Sequence, residues 1–180
     1  FMAFYADTLG LSDTAFTLLR DLIHEYTGLF YDQDKSDLLS DKLSPLVIER
    51  GFNSFLDYYY LLKYDGDAKQ EWVRVMDALS VQETYFWREM DQIRTLVDII
   101  IPQWFASGRS DPFRIWSAAC ASGEEPLTIA MALEEAGLER FPIEIYASDG
   151  SSQAIKKAHA AVYGERSFRD RSPTRRPRTW

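Results

Sequence analysis

The sequence predicts an α + α/β chain, a helical domain followed by the first part of a parallel α/β sheet. Three observations carry this. Apolar residues recur at helical spacing up to about residue 107. The period then breaks into two short apolar runs, FRIWSA and IEIYAS. Between them lies one helical stretch of about a dozen residues, long enough for a crossover between parallel strands and too long for a hairpin.

Taken in order, Phe16, Leu19, Leu22, Ile23 and Tyr26 fall on one helical face, with Ser12 or Asp13 as the N-cap and Gly28 as the stop. A second stripe, Leu38, Leu39, Leu43, Leu46 and Val47, ends at Gly51. Pro45 interrupts it, so a kink or a break is expected there. Ser54 caps a short aromatic helix through Phe55, Tyr58, Tyr59 and Leu62, and another helix runs from about Ala68 to Leu79. The last helix of this region spans roughly Asp91 to Ser107, with Ile93, Leu96, Val97, Ile100 and Trp104 inward. After the turn-rich SGRSDP, a strand runs through PFRIWSAA. A helix follows from Glu125 to Ala136 with Gly137 at its C-terminus, then a strand in IEIYAS and a helix from Ser151 to Ala161. The expected organisation is a helical domain over 1–80, a connecting motif and linker helix over 81–112 and a sheet domain over 113–164. A basic tail over 165–180 is expected to be disordered.

Composition narrows the function. The chain has 180 residues, 46% hydrophobic and 14% aromatic, which suits a packed core. Its net charge is −8. Residues 165–180 hold six arginines against Glu165 and Asp170, a net of +4, which leaves −12 on the first 164 residues. Such a chain repels phosphate backbones, so nucleic acid is not an expected partner. Cys120 is the single cysteine, so no internal disulfide forms. The most apolar stretch, LVDIIIPQWF, contains Asp98 and Pro102 and falls short of the roughly 20 residues that span a bilayer. A cytoplasmic location without membrane insertion is expected. His24 and His159 stand apart on helices and read as structural, and no metal site is expected.

In open parallel sheets, ligands bind beyond the carboxyl ends of the strands. The first strand runs into Ala119-Cys120-Ala121-Ser122-Gly123-Glu124-Glu125-Pro126, where small residues admit a ligand close to the backbone. The second ends at Asp149, 25 residues after Glu124, where a carboxylate can accept hydrogen bonds from both hydroxyls of a ribose. The same loop also reads as a plain helix start with carboxylates complementing the dipole. It has one glycine and two glutamates. It therefore lacks a dinucleotide fingerprint and disfavours a pyrophosphate, whereas a cofactor with a positive charge fits. S-adenosylmethionine carries a sulfonium, an ammonium and a ribose diol, and no phosphate. The stretch Val81-Gln82-Glu83-Thr84-Tyr85-Phe86-Trp87-Arg88-Glu89 sets three aromatics beside Thr84 and Arg88, which can hydrogen-bond a ligand.

RIWSAACASGEEP, IYASD, QETYFWRE and AVYGERSFR together resemble the CheR family of chemotaxis receptor methyltransferases, as does GLFYDQDKSDLLSDKL in the helical region, where Lys42 stands in place of the family's usual arginine. The resemblance covers about residues 12–169. It implies a Rossmann-like class I methyltransferase sheet and transfer of a methyl group from S-adenosylmethionine to glutamates on chemoreceptor helices. It also implies Gln82, Thr84, Arg88, Glu124 and Asp149 as cofactor-binding positions, with Arg88 beside the reaction centre as the catalytic candidate. Gln82 stands where the family has Asn, and Trp87 where it has a second Phe. The chemistry agrees. A glutamate is already ionised near neutral pH, so attack on a sulfonium methyl needs alignment and water exclusion and no general base.

Residues after Arg169 do not resemble the family's continuation, and only two strands are visible. The expectation is a C-terminally truncated chain, with a non-catalytic S-adenosylmethionine-binding or scaffold module as the alternative. An exposed sheet edge would then favour homo-oligomers. Residues Asp32 to Arg50 carry five acids and three bases, which is not a basic patch for acidic receptor helices.

Overall fold

The computed structural model describes residues 9–66 and 68–169. The chain divides into two compact units, Phe1–Ser80 and Val81–Trp180.

The first unit holds four helices: α1 (Asp13–Thr27), α2 (Ser36–Glu49), α3 (Phe55–Tyr64) and α4 (Ala68–Leu79). Ser12 caps α1 by accepting from the Ala15 N–H, and the Gly28 N–H closes it on the His24 carbonyl. Ser54 caps α3 in the same way through Asp57. Phe16, Leu19 and Ile23 of α1, Leu39, Leu43 and Val47 of α2, Phe55, Tyr58 and Leu62 of α3, and Trp72, Val75 and Leu79 of α4 form one buried core. Of the kink or break expected at Pro45 the break does not occur, and two positions of the apolar stripes are corrected. Pro45 does not break α2, which runs through it to Glu49. Pro45 has no N–H for the carbonyl four residues back, but Leu43, Ser44, Leu46 and Val47 around it are all buried, and that packing carries the helix across the missing bond. Tyr26 and Leu38 are exposed, not inward, although Tyr26 still lays its ring on Trp72 at 4.1 Å. A buried carboxylate, Glu71, accepts from Tyr58 Oη at 2.8 Å and Arg50 Nε at 2.8 Å, with Arg74 nearby. Lys42 donates to the Ala78 carbonyl at 3.1 Å, satisfying one of the last carbonyls of α4.

The second unit contains α5 (Met90–Thr95), a π-turn over Leu96–Ile100, α6 (Ile101–Ala106), β1 (Phe113–Ala118), α7 (Glu124–Glu135), β2 (Ile143–Ser148), α8 (Ser152–Ala160) and a 3-10 turn over Glu165–Phe168. The strands pair in parallel, Phe113 opposite Ile143 through Ala118 opposite Ser148, and form a two-stranded sheet among the described residues. Ile115 and Ser117 are buried on one face of β1, whereas Arg114 and Trp116 point outward. Ile93, Val97, Ile101, Ile115, Ile129 and Leu133 make the core.

The linker helix differs from the sequence expectation in phase. Pro102 has no N–H to give, and just ahead of it the Ile101 N–H reaches Leu96 O, five residues back. The extra residue turns the helix by about 100°, one residue's rotation at 3.6 per turn. Ile101 is therefore fully buried and Ile100 is exposed, the reverse of the expected pattern. The tail is corrected too. Residues 165–169, expected to be disordered, are ordered by the 3-10 turn, while residues 170–180 lie outside the described residues.

Candidate functional site

Both strands end at the same level. The Cys120 N–H donates to the Ser148 carbonyl at 2.9 Å, so the loop after β1 continues the pairing for one more residue. That loop then turns sharply, with Ala119 (φ 57°), Ala121 (φ 46°) and Gly123 (φ 92°) all left-handed. Left-handed backbone strains a residue that carries a Cβ, and such strain persists only where the surroundings fix it. Here Asp149 fixes it. One carboxylate oxygen accepts from the Ala121 N–H at 2.9 Å and the other from the Ser151 N–H at 2.8 Å, clamping the β1 loop to the start of α8. Gly123 is forced by space as well as by φ, since a Cβ there would lie 3.0 Å from the Ala158 Cβ and 3.3 Å from the Tyr163 hydroxyl.

The other wall is the stretch 82–89, with Trp87 (φ 65°) and Glu89 (φ 52°) also left-handed. Phe86 is buried, stacked on Phe168 at 4.9 Å and edge-on to Tyr163 at 4.8 Å. The Trp87 N–H donates to Thr128 Oγ1 at 3.2 Å, tying this stretch to α7. Between the walls lies a cavity of about 130 Å³, lined among others by Thr84, Tyr85, Arg88, Ala119, Cys120 and Glu125. That volume is below the roughly 300–1,000 Å³ of ordinary small-molecule sites.

Of the five residues expected from sequence, Thr84 and Arg88 line this cavity. Arg88 is exposed, over the Tyr85 ring at 5.7 Å and within 3.3 Å of the Glu83 carbonyl. Asp149 does not line the cavity and holds the loop after β1 through the Ala121 and Ser151 N–H groups. Gln82 does not line the cavity. Its amide donates to Ser151 Oγ at 2.9 Å and accepts from Lys157 Nζ at 3.0 Å. Glu124 is buried and turned away, accepting from Ser167 Oγ and Ser122 Oγ, each at 2.8 Å. Its neighbour Glu125 lines the cavity instead, oriented by Ser117 Oγ at 2.6 Å. Sequence reasoning did not single out Glu125. One residue turns a helix by 100°, so two adjacent glutamates at a helix start face different ways, and the buried Ser117 beneath is the signal that fixes which.

Burial pushes the Cys120 thiol above its usual range, and the Asp149 carboxylate adds to this. Burial also raises Tyr163, with Glu124 nearby, while its hydroxyl donates to the Ser122 carbonyl at 2.8 Å. His24, at the end of α1, and exposed His159 stand apart from the site. Among the described residues no cluster of His, Cys, Asp and Glu is arranged to hold a metal, and no helix is long and apolar enough to cross a membrane.

Comparison with known proteins follows the division into two units. Residues 14–80 match the family model described as the CheR methyltransferase all-alpha domain, and residues 82–178 match the CheR methyltransferase SAM binding domain. The chain is 33% identical over 162 residues to chemotaxis protein methyltransferase 2 of Vibrio cholerae, covering 89% of this chain and 56% of that protein. It is 29% identical over 168 residues to the chemotaxis protein methyltransferase of Escherichia coli, covering 93% and 56%. A probable biofilm formation methyltransferase of Pseudomonas aeruginosa is 36% identical over 110 residues, 61% of this chain and 26% of that one. The chain spans about half the length of the chemotaxis methyltransferases it matches.

Proposed function

The chain belongs to the CheR methyltransferase family, and on that premise we propose that its second unit binds S-adenosylmethionine for transfer of the methyl group to glutamate side chains of chemoreceptor proteins. The observation that carries this is the meeting of Thr84 and Arg88 with Ala119, Cys120 and Glu125 around one cavity, above the loop that Asp149 clamps. Asp149 lies where a ribose diol would sit, at the end of the strand beside the loop. Each of its oxygens has lone-pair capacity beyond the single backbone bond seen. Glu125 and its neighbours suit a cationic cofactor. Thr84 offers a hydroxyl, and Arg88, exposed at the mouth, offers a planar donor for an incoming carboxylate. Gln82 supports the site from behind by holding the start of α8.

The reaction asks little proton chemistry of the protein. The nucleophile is an ionised glutamate and the leaving group a neutral thioether, so the chain's task is to align the two and exclude water. The partner is a receptor helix, met in the cytoplasm, and sheet edges left unpaired among the described residues supply a route to self-association. Calorimetric titration with S-adenosylhomocysteine tests the cofactor reading. Binding in a folded sample is expected, and no heat at millimolar ligand would refute it.

A second reading is favoured by the small cavity that the described residues enclose. On it the second unit binds the cofactor without transferring its methyl group, as a scaffold of the same fold. Radiolabelled transfer to receptor fragments separates the two, since incorporation above a no-enzyme control rejects the scaffold reading.

A further inference from the structure

The segment 163–169 touches both walls of the cavity and lines neither. Its Ser167 carbonyl accepts the Phe86 N–H at 2.8 Å, and its Ser167 hydroxyl donates to the buried Glu124 carboxylate at 2.8 Å. Tyr163 reaches the Ser122 carbonyl, Phe168 stacks on Phe86, and Arg169 pairs with Glu83 at 2.9 Å while lying 4.3 Å from the centre of the Tyr85 ring. One residue, Ser167, thus bonds the aromatic stretch through its backbone and the acidic loop through its side chain. Glu124 completes the link. Its second oxygen takes Ser122 Oγ, and its backbone carbonyl takes the Thr128 hydroxyl, whose oxygen in turn accepts from the Trp87 N–H.

We propose that Ser167 and Glu124 are positioning residues that strap the 82–88 stretch to the 119–125 loop and so set the width of the cofactor cavity. Glu124, at 2% exposure and outside the cavity lining, is held by a serine hydroxyl at each carboxylate oxygen. Its burial is explained by what it holds. In the low-dielectric interior a hydroxyl bonded to a carboxylate is a strong tether, so removing the donor frees the wall it anchors. The strap is distant in sequence from both walls, so local helix or strand formation does not supply it.

The test compares Ser167→Ala, the conservative Ser167→Thr and Glu124→Gln in the full chain, with two readouts. The first is independent of any cofactor: the iodoacetamide alkylation rate of Cys120, which is buried against the cavity, and amide exchange of residues 83–88. Ser167→Ala and Glu124→Gln are expected to raise both at least fivefold, while exchange in β1, β2 and the body of α7 stays within twofold. Ser167→Thr, which keeps the hydroxyl, restores the parent values. The second readout, resting on the cofactor reading above, is affinity for S-adenosylhomocysteine, expected to fall about five- to twentyfold in Ser167→Ala and to return in Ser167→Thr. Unchanged labelling and exchange in Ser167→Ala would overturn the strap, as would uniform loosening of the whole second unit. No binding by the parent chain would overturn the cofactor reading and leave the strap to stand on the first readout.

Discussion

Gly123 and Gly137 flank the same helix, α7, and both hold left-handed backbone, with φ of 92° and 68°. They differ in what a side chain would meet. A Cβ at Gly137 finds nothing within 4 Å, whereas one at Gly123 would lie 3.0 Å from the Ala158 Cβ and 3.4 Å from its Cα. Replacing either by alanine puts a Cβ into the left-handed region, at about 1–2 kcal/mol. Either change also restricts the unfolded chain by a similar amount, so that contribution cancels in the comparison. Only Gly123→Ala adds overpacking, typically 1–3 kcal/mol. The expected difference between the two variants is therefore about 1–3 kcal/mol, with Gly123→Ala the worse. Amide exchange of β1 and α7 reads it locally, without assuming that both units unfold together. Adding Ala158→Gly to Gly123→Ala removes the 3.0 Å contact. The cycle should then show a favourable coupling of about 1 kcal/mol or more, even though glycine within α8 costs about 1 kcal/mol by itself. Equal destabilisation by the two alanines, or zero coupling to Ala158, would refute the claim that α8 packs against the loop through this glycine.

Three further outcomes are expected. Asp149→Ala should weaken S-adenosylhomocysteine binding by about 1.5–3 kcal/mol, the range for hydrogen bonds to a charged group, and should speed exchange at Ala121 and Ser151, whose N–H groups it holds; unchanged affinity by calorimetry would remove it from the site. Glu71→Ala removes the acceptor of the buried Tyr58 hydroxyl, and urea unfolding of the helical unit should show a loss of about 1–3 kcal/mol, no measurable loss arguing against a structural role. For Cys120, burial raises the folded-state pKa, so the thiol's contribution to stability is fully present below the ordinary thiol pKa and is lost as pH rises from there through the raised value. Iodoacetamide should accordingly label it more slowly than a free thiol at pH 8, and labelling as fast as in the urea-unfolded chain would count against this.

How much was legible in the sequence follows how local each cause is. The α1 and α3 caps, the core stripes of the first unit and the parallel pair around α7 were readable, because a cap acts over three residues and a stripe over one turn. The phase of the linker helix was not, because Ile100 and Ile101 are equally apolar and only the π-turn next to Pro102 decides between them. The continuity of α2 through Pro45 was hidden for the opposite reason, since tertiary burial on both sides outweighs a local breaker. Within the candidate site, the motifs single out Thr84, Arg88 and Asp149; the first two line one cavity and the third ties the loop after β1 to the start of α8. The division of labour between Glu124 and Glu125 depends on Ser167, 43 residues away, and on Ser117, eight residues back and on another element. Spacing within the motif does not encode it.

The electrostatics of the cavity give the sharpest separation between its residues. Its lining carries three carboxylates, Glu83, Glu89 and Glu125, and one cation, Arg88. Such a field favours a sulfonium over a neutral thioether, so neutralising a lining carboxylate should shift the preference between S-adenosylmethionine and S-adenosylhomocysteine, two ligands that differ only at the sulfur, in its charge and its methyl group. A unit charge about 8–10 Å away contributes about 2 kcal/mol at an effective dielectric near 20, before screening by salt. Neutralising Glu125 as Glu125→Gln should therefore lower the preference by roughly tenfold, and Arg88→Met should raise it by a similar factor while abolishing the attraction for an incoming glutamate. The ratio of the two dissociation constants, measured for each variant by calorimetry, cancels packing losses that affect both ligands alike. Ratios that move in the same direction in the two variants, or do not move, would show that charge in this cavity does not select the cofactor.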